Sequence, residues 1–360
     1  MESVYIHIPF CKSICSYCDF CKMLYTSRDS LRYLEALKCE VEEYYLGDCI
    51  KTIYIGGGTP SVLNPEELAK LFEIVDLFKK TTTCEITFEC NPDDITEVLI
   101  DILKVNGVNR ISIGMQSFNT EKLIFMERIS DFEDIKNKIN LINNKGIYNI
   151  NLDLMYGIPG EGIDILKKDL KMLLKLNPEH ISTYSLIVED NTKIKIRGDE
   201  NIDEDLDAEM YKYILKKLKS KGYIHYEVSN FAKDGYFSKH NLTYWNNKEY
   251  YGFGLGAAGY INGFRYENTK NIDTYCEGNY RSSEALLSKQ ETMEYELILG
   301  FRKVEGINLQ EFFDKYEVNI QEAFPIKPLL KNKDLIYKNG YIFISPEKRY
   351  LMNEILLKLI

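Results

Sequence analysis

Residues 5–21 read Tyr5-Ile-His7-Ile-Pro-Phe-Cys11-Lys-Ser-Ile-Cys15-Ser-Tyr17-Cys18-Asp-Phe-Cys21, with Cys11, Cys15 and Cys18 in a CxxxCxxC spacing. The triplet follows the apolar alternation Val4 to Ile8, which predicts a short strand. Closely spaced thiolates hold iron–sulfur clusters because one short loop wraps several sulfurs round a compact cube of iron and sulfide. Three ligands instead of four leave one iron of a [4Fe–4S] cluster open to bind and reduce something else. A zinc site is a competing reading, with Cys21 or His7 as fourth ligand, although structural zinc usually uses paired CxxC units. A disulfide pair is the other. A lone CxxxCxxC at a strand exit favours the cluster.

The elements that must carry this loop alternate along the chain. Helical spacing marks 30–45, 65–78, 95–105, 132–145, 164–176 and 206–221, and β-rich runs mark 52–56, 85–89, 110–114, 148–155 and 180–188. With the first strand these make six strand-then-helix units, which imply an α/β fold with a parallel sheet and right-handed crossovers. Periodicity alone permits a doubly wound sheet or a barrel. In either, sites gather at the carboxyl ends of the strands. The polar oddities sit there: Gly56-Gly57-Gly58-Thr59-Pro60, Glu89-Cys90-Asn91-Pro92, Gly114-Met115-Gln116-Ser117, and Asp153 to Gly160. Glycines at such an end let a ligand approach the backbone and leave N–H groups free for a carboxylate. Taken singly, a polar residue there is more often a helix cap or turn residue.

At 360 residues the chain is long enough for a large first domain and a smaller second. Its 45% hydrophobic and 28% charged residues are ordinary for a globular protein, and no apolar run is long enough for a transmembrane helix. A net charge of −10 argues against charge-driven binding to nucleic acid or anionic membrane. The strand and cysteines come almost at once, leaving no room for a signal peptide, and nine cysteines with three in metal-type spacing suggest a reducing cytoplasm. Cys39, Cys49, Cys84, Cys90 and Cys276 read as small apolar residues. The acidic run Asp199 to Glu209 reads as a solvated linker and helix start.

The CxxxCxxC with an aromatic residue before its last cysteine resembles the radical S-adenosylmethionine (SAM) superfamily. Tyr5-Ile-His-Ile-Pro-Phe and Cys18-Asp-Phe narrow the resemblance to the oxygen-independent coproporphyrinogen oxidases and their HemW-type haem-chaperone relatives, over Tyr5 to about Arg302. The resemblance implies a partial (β/α)6 barrel, a [4Fe–4S] cluster on Cys11, Cys15 and Cys18, and SAM. It carries SAM contacts onto Tyr5, Tyr17, Gly57, Gly58, Thr59, Glu89, Gln116, Arg128, Asp153 and Ile187. For Tyr5 and Ile187, core packing is nearly as good an account. Cys21 lies three residues after Cys18, where the oxidases carry a cysteine two residues on. It is read as a spare thiol, since a closed cluster would have to lose a ligand to bind SAM.

Beyond residue 221 lies a connecting region, 222–289, with His240-Asn241-Leu-Thr-Tyr244-Trp245, an HNxxYW that resembles a HemW motif and holds the only tryptophan. Histidine is a natural axial ligand of haem iron and aromatics can wall a porphyrin, so His240 is the candidate haem ligand, with His225 and Cys276 beside it. Read alone, such a histidine is a surface-turn residue. Gly252 to Gly259 reads as a flexible loop. The last part, 290–360, shows helices at 292–302 and 309–316, a hairpin at 335–345 and a terminal helix at 350–360. That order resembles a winged-helix fold, without the basic character of a DNA-binding one.

Two functions compete. One is a haem chaperone that binds cluster, SAM and haem and delivers haem to respiratory haem proteins, with a homodimer as one option. The other is oxygen-independent coproporphyrinogen III oxidase, which makes protoporphyrinogen IX by radical oxidative decarboxylation. Ten residues before Cys11, the missing CxC cysteine and the HNxxYW favour the chaperone. The complete set of SAM positions keeps SAM cleavage open.

Overall fold

The computed structural model describes residues 1–199 and 203–360. The chain forms two compact units: 1–214 with 249–285, and 215–248 with 286–360. The expected connecting region, 222–289, therefore contributes to both.

In the first unit the predicted alternation is realised as β1 (Ser3–Ile8), α1 (Ser27–Tyr44), β2 (Ile50–Gly57), α2 (Pro65–Asp76), β3 (Lys80–Cys90), α3 (Glu97–Val105), β4 (Arg110–Gln116), α4 (Thr120–Met126), α5 (Phe132–Asn144), β5 (Asn149–Tyr156), α6 (Ile163–Leu176) and β6 (His180–Ser185). A strand the sequence did not announce, β7 (Tyr251–Phe253), pairs in parallel with β1. Within this unit the strands run β7-β1-β2-β3-β4-β5-β6, all parallel. Among the described residues no pairing joins β6 to β7, so the sheet is an open, partial barrel.

Period-2 alternation sorts the strands into two faces. Val4, Ile6, Ile8, Ile53, Ile55, Phe88, Ile111, Ile113, Ile150, Leu152, Leu154 and Ile181 are fully buried and form the apolar layer. The intervening residues make a polar face whose register runs across the sheet: Tyr5 opposite Tyr54, Glu89 opposite Ser112, Ser112 opposite Asn151, and Asp153 opposite Ser182. One face drives folding and the other is left for chemistry.

Helix starts are fixed by local caps. Thr26 accepts from Asp29 N to begin α1, Asn64 and Glu67 form a reciprocal capping box at α2, and Thr96 caps α3. A further helix, Glu204–Lys219, covers most of the expected acidic helix start, while residues 200–202 of the acidic run lie outside the described residues.

The second unit has its own core of Leu297, Phe301, Phe312, Ile326, Leu335 and Ile342, among others. Helices Lys289–Gly300 and Leu309–Tyr316 precede the hairpin Leu335–Lys338 and Tyr341–Ile344, the expected order of helices then hairpin. The expected terminal helix is broken: Pro346–Leu351 is a 3-10 turn that leads into a short helix, Met352–Leu356. No helix of the described residues is long and apolar enough to cross a membrane.

Candidate cofactor-binding site

The polar face opens into a cleft of about 500 Å³ at the carboxyl ends of β2 to β6. Cys11, Cys15, Cys18, Tyr17, Gly57, Gly58, Thr59, Glu89, Gln116, Arg128, Asp153 and Ile187 all line it. Residues that the sequence scattered over nearly half the chain are thus gathered at one place. Tyr5 is not among the lining residues. Its hydroxyl turns instead to His7 Nδ1, 2.9 Å away, and His7 Nε2 is 2.7 Å from the Cys21 carbonyl. Burial lowers the His7 pKa to about 4, so this imidazole is neutral and braces the cysteine loop.

All nine cysteines are free thiols. Burial pushes Cys11 up to about 11 and raises Cys18, so binding iron there takes their protons. Thr59 Oγ1 donates to Cys11 Sγ at 3.4 Å, and Arg128 Nη1 donates to Cys15 Sγ at 3.5 Å. The second Arg128 nitrogen, Nη2, donates to the Gly114 carbonyl, so one guanidinium links the cysteine loop to the end of β4.

Gly57 has φ +112, and a Cβ there would stand 2.4 Å from the His7 ring. At Gly58 a Cβ would stand 2.7 Å from the Pro9 backbone. Only glycine fits between the cysteine loop and the cleft at either position. Gly57 N donates to Glu89 Oε2 at 3.0 Å and Tyr54 Oη to Glu89 Oε1 at 2.6 Å. These bonds favour the ionised carboxylate, yet burial outweighs them and holds Glu89 at about 7. Burial likewise raises Asp153, which accepts from Asn151 Nδ2 at 2.7 Å.

Gln116 is a non-glycine residue at φ +64, and its buried Oε1 has no hydrogen-bond partner among the described residues. Strain and an orphaned acceptor at a cleft wall mark a position shaped for a ligand. The residues therefore fit a group with hydrogen-bond donors and positive charge next to a three-thiol loop, as a cluster with bound SAM would present. Ile187 sits in the loop after β6, 69% exposed, so it forms the cleft's rim and the core-packing account fails for it. Sequence reasoning missed Tyr54, which braces Glu89, and Ser112, which lines the cleft. The strand alternation that places Tyr54 and Ser112 on the same face as Glu89 was the available signal.

The glycine-rich 252–259 stretch is packed, not a free loop. Gly254 N donates to the buried Glu40 carboxylate at 2.8 Å, and a Cβ at Gly256 would stand 2.8 Å from Cys21 Cβ. It backs the cysteine loop from the β7 side and does not line the cleft. In the second unit, His240 lies on the short helix Lys239–Trp245 and is buried, with Nε2 2.7 Å from Tyr244 Oη. His225 is also held in, its ring stacked on Phe231 at 4.5 Å, and burial lowers its pKa to about 4. Cys276, half-buried at the end of a one-turn helix of the first unit, lies 3.9 Å from the Arg32 carbonyl.

The family description "Radical SAM superfamily" matches residues 5–173. "Heme chaperone HemW" of Lactococcus lactis subsp. lactis (strain IL1403) is 38% identical over 348 residues, covering 94% of this chain and 91% of that protein. The protein of the same name from Bacillus subtilis (strain 168) is 37% identical over 372 residues, covering 99% and 98%. Among solved structures, the coproporphyrinogen III oxidase HemN of Escherichia coli, described as a radical SAM enzyme, matches with a TM-score of 0.87. That match is 22% identical and covers 99% of this chain and 89% of that one, a likeness of fold alone.

Proposed function

We propose, because this chain belongs to the HemW family of radical SAM proteins, that it is a haem chaperone built on a cluster-and-SAM core. Membership of the radical SAM family implies a [4Fe–4S] cluster and SAM. In our reading Cys11, Cys15 and Cys18 hold the cluster and leave one iron open. When bound, that pair supplies electron transfer to a sulfonium. The chain's own residues bind and orient: the Gly57–Thr59 backbone takes the SAM carboxylate, Glu89 its ammonium, and Gln116 and Asp153 the nucleoside. Arg128 holds the cysteine loop against β4. The observation that carries this reading is one cleft lined by all three thiols and by every proposed SAM position except Tyr5.

Haem is the proposed cargo, passed to respiratory haem proteins by a chain that works in the cytoplasm, with a homodimer as one working form. His240 is the proposed axial ligand. Its imidazole is buried and bonded to the Tyr244 hydroxyl one turn along the same helix, so ligation requires the Tyr244 side chain to give way. Haem titration of the anaerobically reconstituted protein, followed by the Soret band, tests this. Saturable binding near one haem per chain, weakened in His240→Ala, is the expected result. Unchanged binding in the variant moves the ligand elsewhere, and no specific binding at all removes the chaperone reading.

A further inference from the structure

A buried group of charges lies just outside the cleft. Lys122, on α4, is 4% exposed, and its Nζ donates to the Met155 carbonyl at 2.8 Å, Glu161 Oε1 at 2.7 Å and Asp169 Oδ2 at 3.1 Å. Neither Glu161 nor Asp169 lines the cleft, and both are buried. The two carboxylates hold the turns that follow β4 and β5. Asp169 accepts from Ser117 Oγ at 2.6 Å and from Phe118 N at 2.8 Å, and Glu161 accepts from Ile158 N at 3.2 Å. Ser117 directly follows the strained Gln116, and Met155 itself lines the cleft.

The other end of α4 meets the cysteine loop. Ser16, between Cys15 and Cys18, donates its backbone N to the Met126 carbonyl at 3.2 Å and its hydroxyl to the Phe125 carbonyl at 2.7 Å. These are last-turn carbonyls that a helix leaves without internal partners. Leu123 and Met126 of the same helix pack with Met155, Ile158 and Leu186, with Tyr17 against them. Buried charge is costly, and replacing such a group by apolar residues is often neutral or stabilising.

We infer that Lys122 is a positioning residue that makes α4 a strut between the ends of β4 and β5 and the cysteine loop. Its three acceptors fix one end of the helix to the end of β5 and to the turns that follow Gln116 and Met155. The Ser16 bonds fix the other end to the loop carrying the thiols. SAM affinity thus depends on Lys122 although Lys122 does not touch the cleft. The inference rests on the SAM reading above.

The test compares wild type, Lys122→Met, and the triple variant Lys122→Met/Glu161→Gln/Asp169→Asn, each anaerobically reconstituted. Lys122→Met leaves two buried carboxylates without their cation and lowers Tm. The triple variant removes the charges and recovers Tm towards wild type. Its iron content per chain stays that of wild type, while SAM Kd by equilibrium dialysis is weakened at least tenfold. A triple variant that binds SAM within about twofold of wild type overturns the strut. Wild type that fails to bind SAM sinks both the strut and the SAM reading. Hydrogen exchange on wild type gives a second readout that needs no variant. Saturating SAM should slow exchange in peptides covering 117–126 and Ser16 together. Protection confined to peptides covering Gly57–Thr59 and Glu89 would overturn the inference.

Discussion

Glu89 sets two opposite pH dependences that one experiment can separate. Burial holds its carboxyl at about 7, against 4.5 ordinarily, even with Tyr54 and Gly57 donating to it. A carboxylate that binds an ammonium must first lose its proton. SAM affinity should therefore be nearly full at pH 8, fall about tenfold by pH 6, and fall by roughly another factor of ten per unit below that. Folding responds the other way. A carboxyl whose folded pKa is raised contributes fully below its unfolded value, and that contribution is lost as pH rises through about 7. The gap between the two values corresponds to an upper bound of roughly 3 kcal/mol. Glu89→Gln abolishes both effects, since Gln cannot ionise. At pH 8 the variant should be as stable as wild type or up to ~2 kcal/mol more so, after the cost of one mismatched hydrogen bond. Its SAM affinity should be weak and flat with pH. Calorimetric titration of SAM into the reconstituted protein between pH 5.5 and 8.5, beside thermal melts of both proteins, provides the assay. A wild-type Kd that does not change between pH 6 and 8 would refute the assignment of Glu89 to the ammonium.

Other perturbations have equally definite outcomes. Gly57→Ala forces a side chain onto φ +112 and into the His7 ring, so it should lose about 1–3 kcal/mol of stability and most SAM binding. Equal Tm and Kd in that variant would show the cysteine loop to be freer than its contacts suggest. In the second unit, burial holds Glu227 at about 7 while Ser229 N donates to it at 3.0 Å. Its contribution to folding should be lost as pH rises through 7, so Glu227→Gln should shrink the fall in melting temperature between pH 6 and 8, leaving the part that Glu89 contributes. A fall as large in the variant as in wild type would assign it to other groups.

The cysteine loop, the glycine run and the polar strand ends were legible because each is local: residue type and spacing stand in one short stretch. The alternation that builds the sheet was legible for the same reason, and the family resemblance turned it into an open barrel. Boundaries were less so. The start of α1 came three residues early because Thr26 caps it before the apolar stripe at Leu31 begins. β3 extends back to Lys80 through threonines that carry no burial signal. The strand β7 was hidden because Tyr251-Gly-Phe253 pairs with β1, some two thirds of the chain away, between glycines that read as a loop. Ile187 and Tyr5 show the same limit in the site. Both stood on matching positions, but β6 stops at Ser185 and frees Ile187 for the rim, while the Tyr5 hydroxyl is taken by His7. Lys122 was illegible altogether, since its partners lie 33 to 47 residues further along the chain.

In our reading three thiolates hold the cluster and the fourth iron binds SAM. Low-temperature electron paramagnetic resonance of the reduced, reconstituted protein with and without SAM, on wild type and Cys21→Ala, tests it most directly. A [4Fe–4S] signal is expected in both proteins, lost in Cys11→Ala, Cys15→Ala or Cys18→Ala, with a spectrum that changes when SAM is added. A signal that vanishes in Cys21→Ala, or one that SAM leaves unaltered, would contradict it.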